Sequence, residues 1–333
     1  MFKTLSKVSF IISSIIILFV IGIFSIMVFF HSPTASHKED KIFFIESGMT
    51  LKEVIHKLHQ ENIIQHPTLF LYFSQLFKGY DPKVRYGEYI FEKNISYYDI
   101  LHKMHEGYVF FRRFTIAEGL SAHSALKIIN STEGLVGDAI ETIEEGSILP
   151  ETYYYSYNDK KIDAIKRMQN AMIKAIDELW EKRDKSNNII KSKKEAIILA
   201  SIVERETSLE SERKTIASVF LNRLKIGMKL QSDPTIIYYF TFGDTSLERS
   251  IGYKDIRNKS EFNTYHIYGL PPSPISNPGL ASIEAVLNPL TTDYLYFVAT
   301  GYSGHNFSTN LKEHNKNVKK YYEILKQQKQ GLK

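Results

Sequence analysis

The chain has 333 residues, 43% hydrophobic and 24% charged, a balance that suits a globular protein of about two domains and excludes a disordered or fibrous one. Its 42 Lys and Arg exceed its 37 Asp and Glu by only five, and two of those basic residues, Lys3 and Lys7, precede the first apolar run. No concentrated basic face is left for nucleic acid. Cysteine is absent, which removes disulfide and thiolate chemistry and fits an oxidising compartment.

From Phe10 to Phe30 the chain runs without a charge, interrupted only by Ser13, Ser14, Gly22 and Ser25. At about 1.5 Å per residue that length crosses a hydrocarbon core of about 30 Å. It is too long for the apolar part of a cleaved signal peptide, and His31-Ser32-Pro33 offers no small-x-small exit site. The expectation is an uncleaved anchor at 10–30 behind a cytoplasmic tail at 1–9. Lys3 and Lys7 keep that tail inside, which places everything after His31 outside the cytoplasm. Residues 31–40 are polar and read as a short tether.

A repeat follows. Ile45-Glu46-Ser47-Gly48-Met49-Thr50, Phe91-Glu92-Lys93-Asn94-Ile95-Ser96 and Ile116-Ala117-Glu118-Gly119-Leu120-Ser121 share one pattern. An apolar residue stands five positions before a Thr or Ser, and a Gly or Asn suited to positive φ stands two before it. Apolar residues then recur at +5 and +8 from the hydroxyl: Ile55 and Leu58, Leu101 and Met104, Leu126 and Ile129. The reading is strand, tight turn, capping hydroxyl, amphipathic helix, used three times. The first two copies, within 41–110, resemble LysM-like modules, which bind glycans rich in N-acetyl sugars; the same pattern also serves as plain scaffold.

Residues 111–333 read as one larger domain. An amphipathic helix over 160–185 carries Ile165, Met168, Met172, Ile176 and Leu179 on one side. A charged break precedes an unusually apolar helix containing Ala196 to Val203. The next helix turns Ile216, Val219, Phe220 and Leu224 inward and stops at Gly227. Leu295 to Ala299 reads as a buried strand that returns through Gly301–Gly304 into His305-Asn306-Phe307-Ser308, and a Lys-rich helix from about Leu311 to Gln328 ends the fold. The expected class is α+β: one transmembrane helix, βα units, then a mixed catalytic domain.

The chemistry concentrates in Leu199-Ala200-Ser201-Ile202-Val203-Glu204-Arg205-Glu206-Thr207. A carboxyl group ending an apolar helix is costly to ionise, and a pKa raised toward neutrality is what a general acid requires. At about 100° per residue, Glu204 and Glu206 both flank the apolar stripe while Arg205 faces solvent, so periodicity does not choose between the acids. The ordered set of further motifs is more specific. Glu145-Gly146 leads to Pro150-Glu151-Thr152-Tyr153, and Ala217 to Leu224 leads to Gly227-Met228-Lys229-Leu230-Gln231-Ser232-Asp233-Pro234-Thr235. Asn263-Thr264-Tyr265, Gly269-Leu270-Pro271-Pro272, Pro278-Gly279 and Gly304-His305-Asn306-Phe307 with Asn310 follow.

Order, spacing and anchor together resemble the MltG-type (YceG-like) endolytic murein transglycosylases across essentially the whole chain. The resemblance implies that Glu204 is the catalytic acid. It implies cleavage of the N-acetylmuramic acid to N-acetylglucosamine bond within glycan strands, without water, leaving 1,6-anhydro ends. It further implies substrate contacts from Glu151, Asn263, Tyr265 and His305, a location at the inner membrane, and penicillin-binding synthases as candidate partners. Asp233 stands either as the cap of the helix opening at Pro234-Thr235 or as the second carboxylate of a hydrolase. Tyr265 as core, Asn263 as a turn residue and His305 as a hairpin histidine are the structural alternatives.

Other chemistries find little support. Ser211-Glu212-Arg213-Lys214 matches a serine acyl-enzyme pattern, but no Lys-Thr-Gly follows. His56-x-x-His59 and His102-x-x-His105 lie in the repeat helices without an H-E-x-x-H pattern, so no metal and no cofactor is expected. A membrane-tethered, glycan-binding scaffold would share the anchor and repeats without needing Glu204.

Overall fold

The computed structural model describes residues 2–34, 39–76, 84–186, 188–243, 247 and 249–331. It divides into two compact units, 1–112 and 113–333.

The first unit opens with α1 (Phe2–His31), whose stretch Phe10–His31 is long and apolar enough to cross a membrane. β1 (Lys41–Ile45), α2 (Leu51–Gln60), α3 (Pro67–Leu76), β2 (Gly87–Phe91) and α4 (Tyr97–Glu106) follow. The two strands pair antiparallel, with Phe43 opposite Tyr89. Thr50 caps α2 in a reciprocal box with Glu53, and Ser96 caps α4 through the Asp99 amide. Each cap satisfies donors that the first helical turn leaves orphaned. Gly48 and Asn94 have positive φ, as the turn before each cap requires, and Ile55, Leu58, Leu101 and Met104 are buried.

The stretch expected as a tether at 31–40 has its described first part, 31–34, beside this unit's core. Phe30 is 2% exposed within this unit's core, and Phe29 stacks on Tyr97 at 5.1 Å. The Thr34 amide donates to the Ile95 carbonyl at 2.9 Å, and Pro33 bridges to Ser96. Thr34 is buried and bonded inside the unit, whereas His31 and Pro33 stay exposed. Residues 35–38 lie outside the described residues.

The second unit contains the third copy of the repeat, not a continuation of the first two. β3 (Arg112–Thr115) leads through Gly119, at φ +76°, to α5 (Ala122–Ser131), capped by Ser121. β3 pairs with β4 (Thr152–Tyr155), and α6 (Lys161–Glu181) closes a small core of Phe114, Ile129, Ile165 and Met168. The larger core lies among α6, α7 (Lys193–Glu206), α8 (Glu210–Lys225) and, further along, α11 (Leu280–Leu287). Between α8 and α11 come α9 (Asp233–Thr241) and the short α10 (Tyr253–Ile256). The hairpin of β5 (Tyr296–Ala299) and β6 (His305–Ser308) and the long α12 (Leu311–Gly331) complete the unit. β5 is half-buried along its length, not fully buried as its apolar run suggests.

Candidate active site

α7 places the central acid. Ser192 caps it by accepting from the Glu195 amide at 3.1 Å, and Ala196, Leu199, Ala200, Ile202 and Val203 are fully buried. Ser201, buried among them, donates to the Ile198 carbonyl at 2.7 Å and accepts from the Ile275 amide at 3.0 Å. That hydroxyl ties the segment before α11 to the middle of α7. Glu204 and Glu206 then stand in the last turn, where the helix dipole disfavours negative charge by roughly 0.3–1 kcal/mol. Compensation has to come from elsewhere in the fold.

Glu204 receives it from two sides. Arg213, on α8, places Nη2 3.2 Å from Oε1, and the Gly279 amide at the N-terminus of α11 donates to Oε2 at 2.9 Å. The side chain is only 5% exposed. Glu204 is thus a nearly enclosed carboxylate that accepts from a guanidinium on one oxygen and from a backbone N–H on the other.

A second carboxylate shares its cation. Glu118 Oε2 lies 3.3 Å from the same Arg213 Nη2, with 44% of its side chain exposed. Burial and the charge of Glu204 push the Glu118 carboxyl above the usual range, with Arg213 opposing and Glu151 adding to the rise. Two loops hold these acids together. Gly119 N–H donates to the Asn277 carbonyl at 3.0 Å, and Asn277 N–H donates to the Leu120 carbonyl at 2.8 Å. Arg205, exposed as its helical position predicts, donates to the Gly119 carbonyl at 3.3 Å.

Other carboxylic acids in this unit are displaced further. Glu206, on the opposite flank of α7, accepts from Ser232 Oγ at 2.5 Å. Burial, with Asp233 nearby, pushes it up to about 7 against that hydrogen bond. Glu145 is also pushed to about 7 by burial, although the Ala122 amide at 2.8 Å and the Tyr238 hydroxyl at 3.2 Å both donate to it. It lines an open groove of about 1040 Å³ together with Leu126, Met172, Ile173, Lys194 and Phe242. Glu204 is not among the residues of that groove.

The remaining expected site residues divide. Glu151 is exposed, its carbonyl accepts from the Ile116 amide at 3.0 Å, and its charge acts on Glu118. Asp233 is not a helix cap: Ser232 takes that position, Asp233 is the first helical residue, and its Oδ1 accepts from the Tyr265 hydroxyl at 2.7 Å. Burial and Asp233 push Tyr265 well above its ordinary value. Asn263, 1% exposed, builds the turn before Tyr265, donating to the Asn258 carbonyl at 2.7 Å and accepting from the Tyr265 amide at 3.0 Å. His305 holds Glu212 through Nδ1 at 2.7 Å and its amide at 2.8 Å, and its ring meets Phe297 edge-on. Glu118 and Arg213 were missed by the sequence reading; the signal for Glu118 was its place in the turn of the third repeat copy. Among the described residues, no group of three or more His, Asp or Glu is arranged to hold a metal.

The profile of the YceG-like family matches residues 43–320. This chain belongs to the YceG-like family. It is 38% identical over 177 residues to an endolytic murein transglycosylase of Bacillus subtilis, a match covering 53% of this chain and 48% of that protein. It is 26% identical over 322 residues to an endolytic murein transglycosylase of Streptococcus pneumoniae, covering 82% of this chain and 57% of that one. The chain thus spans about half the length of the curated relatives it matches. A crystal structure of a yceG-like protein from Listeria monocytogenes superposes with a TM-score of 0.50 at 28% identity, covering 84% of this chain and 99% of that one. This YceG-like chain therefore shares its mixed helix-and-strand layout with a solved relative.

Proposed function

We propose that this chain is an endolytic peptidoglycan lytic transglycosylase with Glu204 as its single acid/base group. The observation that carries the reading is the placement of Glu204 at the end of α7. There it is buried, held by Arg213 and the Gly279 amide, in a motif that resembles the family's catalytic stretch. Relatives named endolytic murein transglycosylases support the substrate class.

Protonated Glu204 gives its proton to the glycosidic oxygen as the bond to the muramoyl C1 breaks. The resulting carboxylate takes the proton of the muramoyl C6 hydroxyl, whose oxygen closes onto C1 as a 1,6-anhydro ring. Glu204 ends the cycle protonated, and no water is consumed. The nucleophile belongs to the substrate, so its effective concentration replaces the positioned water of a hydrolase. Arg213 and Gly279 N–H fix the carboxyl group's direction and support the charge it carries between the two proton transfers.

Residues 10–30 serve as a single inner-membrane anchor with residues 1–9 cytoplasmic. Residues 41–110 serve as a LysM-like glycan-positioning module, and residues 111–333 form the catalytic domain outside the cytoplasm. Glu151, Asp233, Asn263, Tyr265 and His305 shape the surroundings of the glycan chain, and penicillin-binding synthases are the partners that would supply nascent strands. Digestion of purified sacculi by the full chain, read by mass spectrometry, tests the reading. Anhydro-muramoyl ends are expected. Reducing ends would replace it with a hydrolase, for which Glu118, sharing Arg213 with Glu204, is a better second carboxylate than Asp233.

A further inference from the structure

We infer that Glu118 is a positioning carboxylate of this site, sharing one proton with Glu204 across Arg213 and so setting the pH range in which Glu204 works as an acid. The inference rests on the catalytic reading of Glu204 and adds a residue to it.

The geometry is specific. One guanidinium nitrogen lies 3.2 Å from Glu204 Oε1 and 3.3 Å from Glu118 Oε2, so the two oxygens can be no further apart than those distances laid end to end. One cation facing two carboxylates neutralises one of them, and the other is stabilised by keeping a proton. Such a pair titrates as a unit, not as two independent groups. The chain has also made room for the arrangement. A Cβ on Gly279 would lie 1.7 Å from Glu118 Oε1, so the residue that donates its amide to Glu204 is also one whose missing side chain admits Glu118. Glu151 on the β4 side and Arg205 beside Gly119 also carry charge near the pair, while Glu212 and Lys214, which flank Arg213 on α8, are engaged by His305 and Glu284. Glu151 adds negative charge and Arg205 is exposed and bonded to a carbonyl, so neither relieves the shortage of positive charge at Arg213.

The proton count closes through the proposed cycle. At rest, one proton resides on the pair and the ionised member is matched by Arg213. Donation to the glycosidic oxygen leaves both carboxylates ionised, with one net negative charge opposite the positive charge that develops at C1. The C6 hydroxyl then returns the proton. Glu118 holds the pair at one proton without touching the sugar.

The test is the pH dependence of cleavage of uncross-linked glycan strands by the detergent-solubilised full chain. Parent, E118Q, E118D and E204Q are compared, with anhydro ends counted by mass spectrometry. In E118Q, Arg213 is left to Glu204 alone, so the pair's proton is lost more easily. The basic limb of the profile should move down by about one pH unit, as removal of a like charge at this range predicts. Activity at the alkaline side should fall about tenfold and recover as the pH is lowered, and E118D should restore the limb toward its parental position. A uniform drop at every pH, or an unmoved profile, overturns the inference. E204Q separates the two readings: if it still cleaves, the catalytic assignment falls and this inference with it. If E204Q is inactive while E118Q keeps the parental profile, the inference alone fails.

Discussion

Glu118 fills the space that a side chain on Gly279 would take: a methyl group on the glycine would sit 1.7 Å from the carboxylate oxygen. Gly279 has an ordinary φ of −75°, so alanine there brings no backbone strain. The clash is with the end of a movable, partly exposed side chain, so G279A should cost less than about 1 kcal/mol of stability. Activity is the sensitive quantity. Displacing Glu118 and shifting the amide that serves Glu204 Oε2 should lower cleavage by about 10- to 100-fold. Thermal unfolding and strand digestion on one preparation check both halves; a large loss of stability with normal specific activity would contradict the arrangement.

Ser201 links α7 to the segment that delivers Gly279. S201A removes the acceptor of the Ile275 amide in a fully buried setting. An unsatisfied buried donor costs about 1–3 kcal/mol, and the lost tie should also loosen the loop holding Glu204. Denaturant unfolding should show that loss together with reduced cleavage.

Glu145 gives a pH signature. Its native carboxyl is pushed up to about 7 by burial, above an ordinary value of 4.5. The native state therefore holds a proton that the unfolded chain has already released between those values. The stabilisation is fully present below about 4.5 and is lost as the pH rises through about 7, by an amount on the order of 3 kcal/mol. E145Q carries no titrating group, so its melting temperature should change less across that window. An unchanged pH slope in E145Q would mean that Glu145 is ionised in the native state at neutral pH.

The first unit depends on the end of α1. Phe30 is 2% exposed and packs with Phe70, Phe73 and Tyr98. F30A should destabilise this unit by about 3–5 kcal/mol, as large aromatic-to-alanine changes in cores do. Hydrogen exchange of the α4 amides should report it; unchanged protection there would show that the packing contributes little.

Local features were the legible ones. The caps at Thr50, Ser96 and Ser121, the positive-φ turns at Gly48, Asn94 and Gly119, and the buried +5 and +8 positions all follow from residues a few places apart. Their signals are steric and hydrogen-bonding rules that act within one turn. What surrounds Glu204 comes from Glu118, Arg213 and Gly279, brought together only by tertiary packing, and no periodicity connects them. The capping alternative for Asp233 fails by one residue: Ser232 stands at the N-cap position, and its hydroxyl goes to Glu206 and not to a helix amide. The polarity of the stretch after Phe30 likewise does not reveal that Thr34 finds the Ile95 carbonyl.

Glu204→Gln tests the central claim most directly. The amide keeps the volume and can still accept from Arg213 or Gly279, while Arg213 retains Glu118 as a partner, so the fold should melt near the parental temperature. Positioned acid/base groups contribute about 10²–10⁴-fold, and here one group serves both proton transfers. Release of anhydro-muramoyl products from purified sacculi should therefore fall by about 10⁴-fold or more, while Glu206→Gln keeps substantial activity. Parental rates of product release from a folded Glu204→Gln chain would contradict the account.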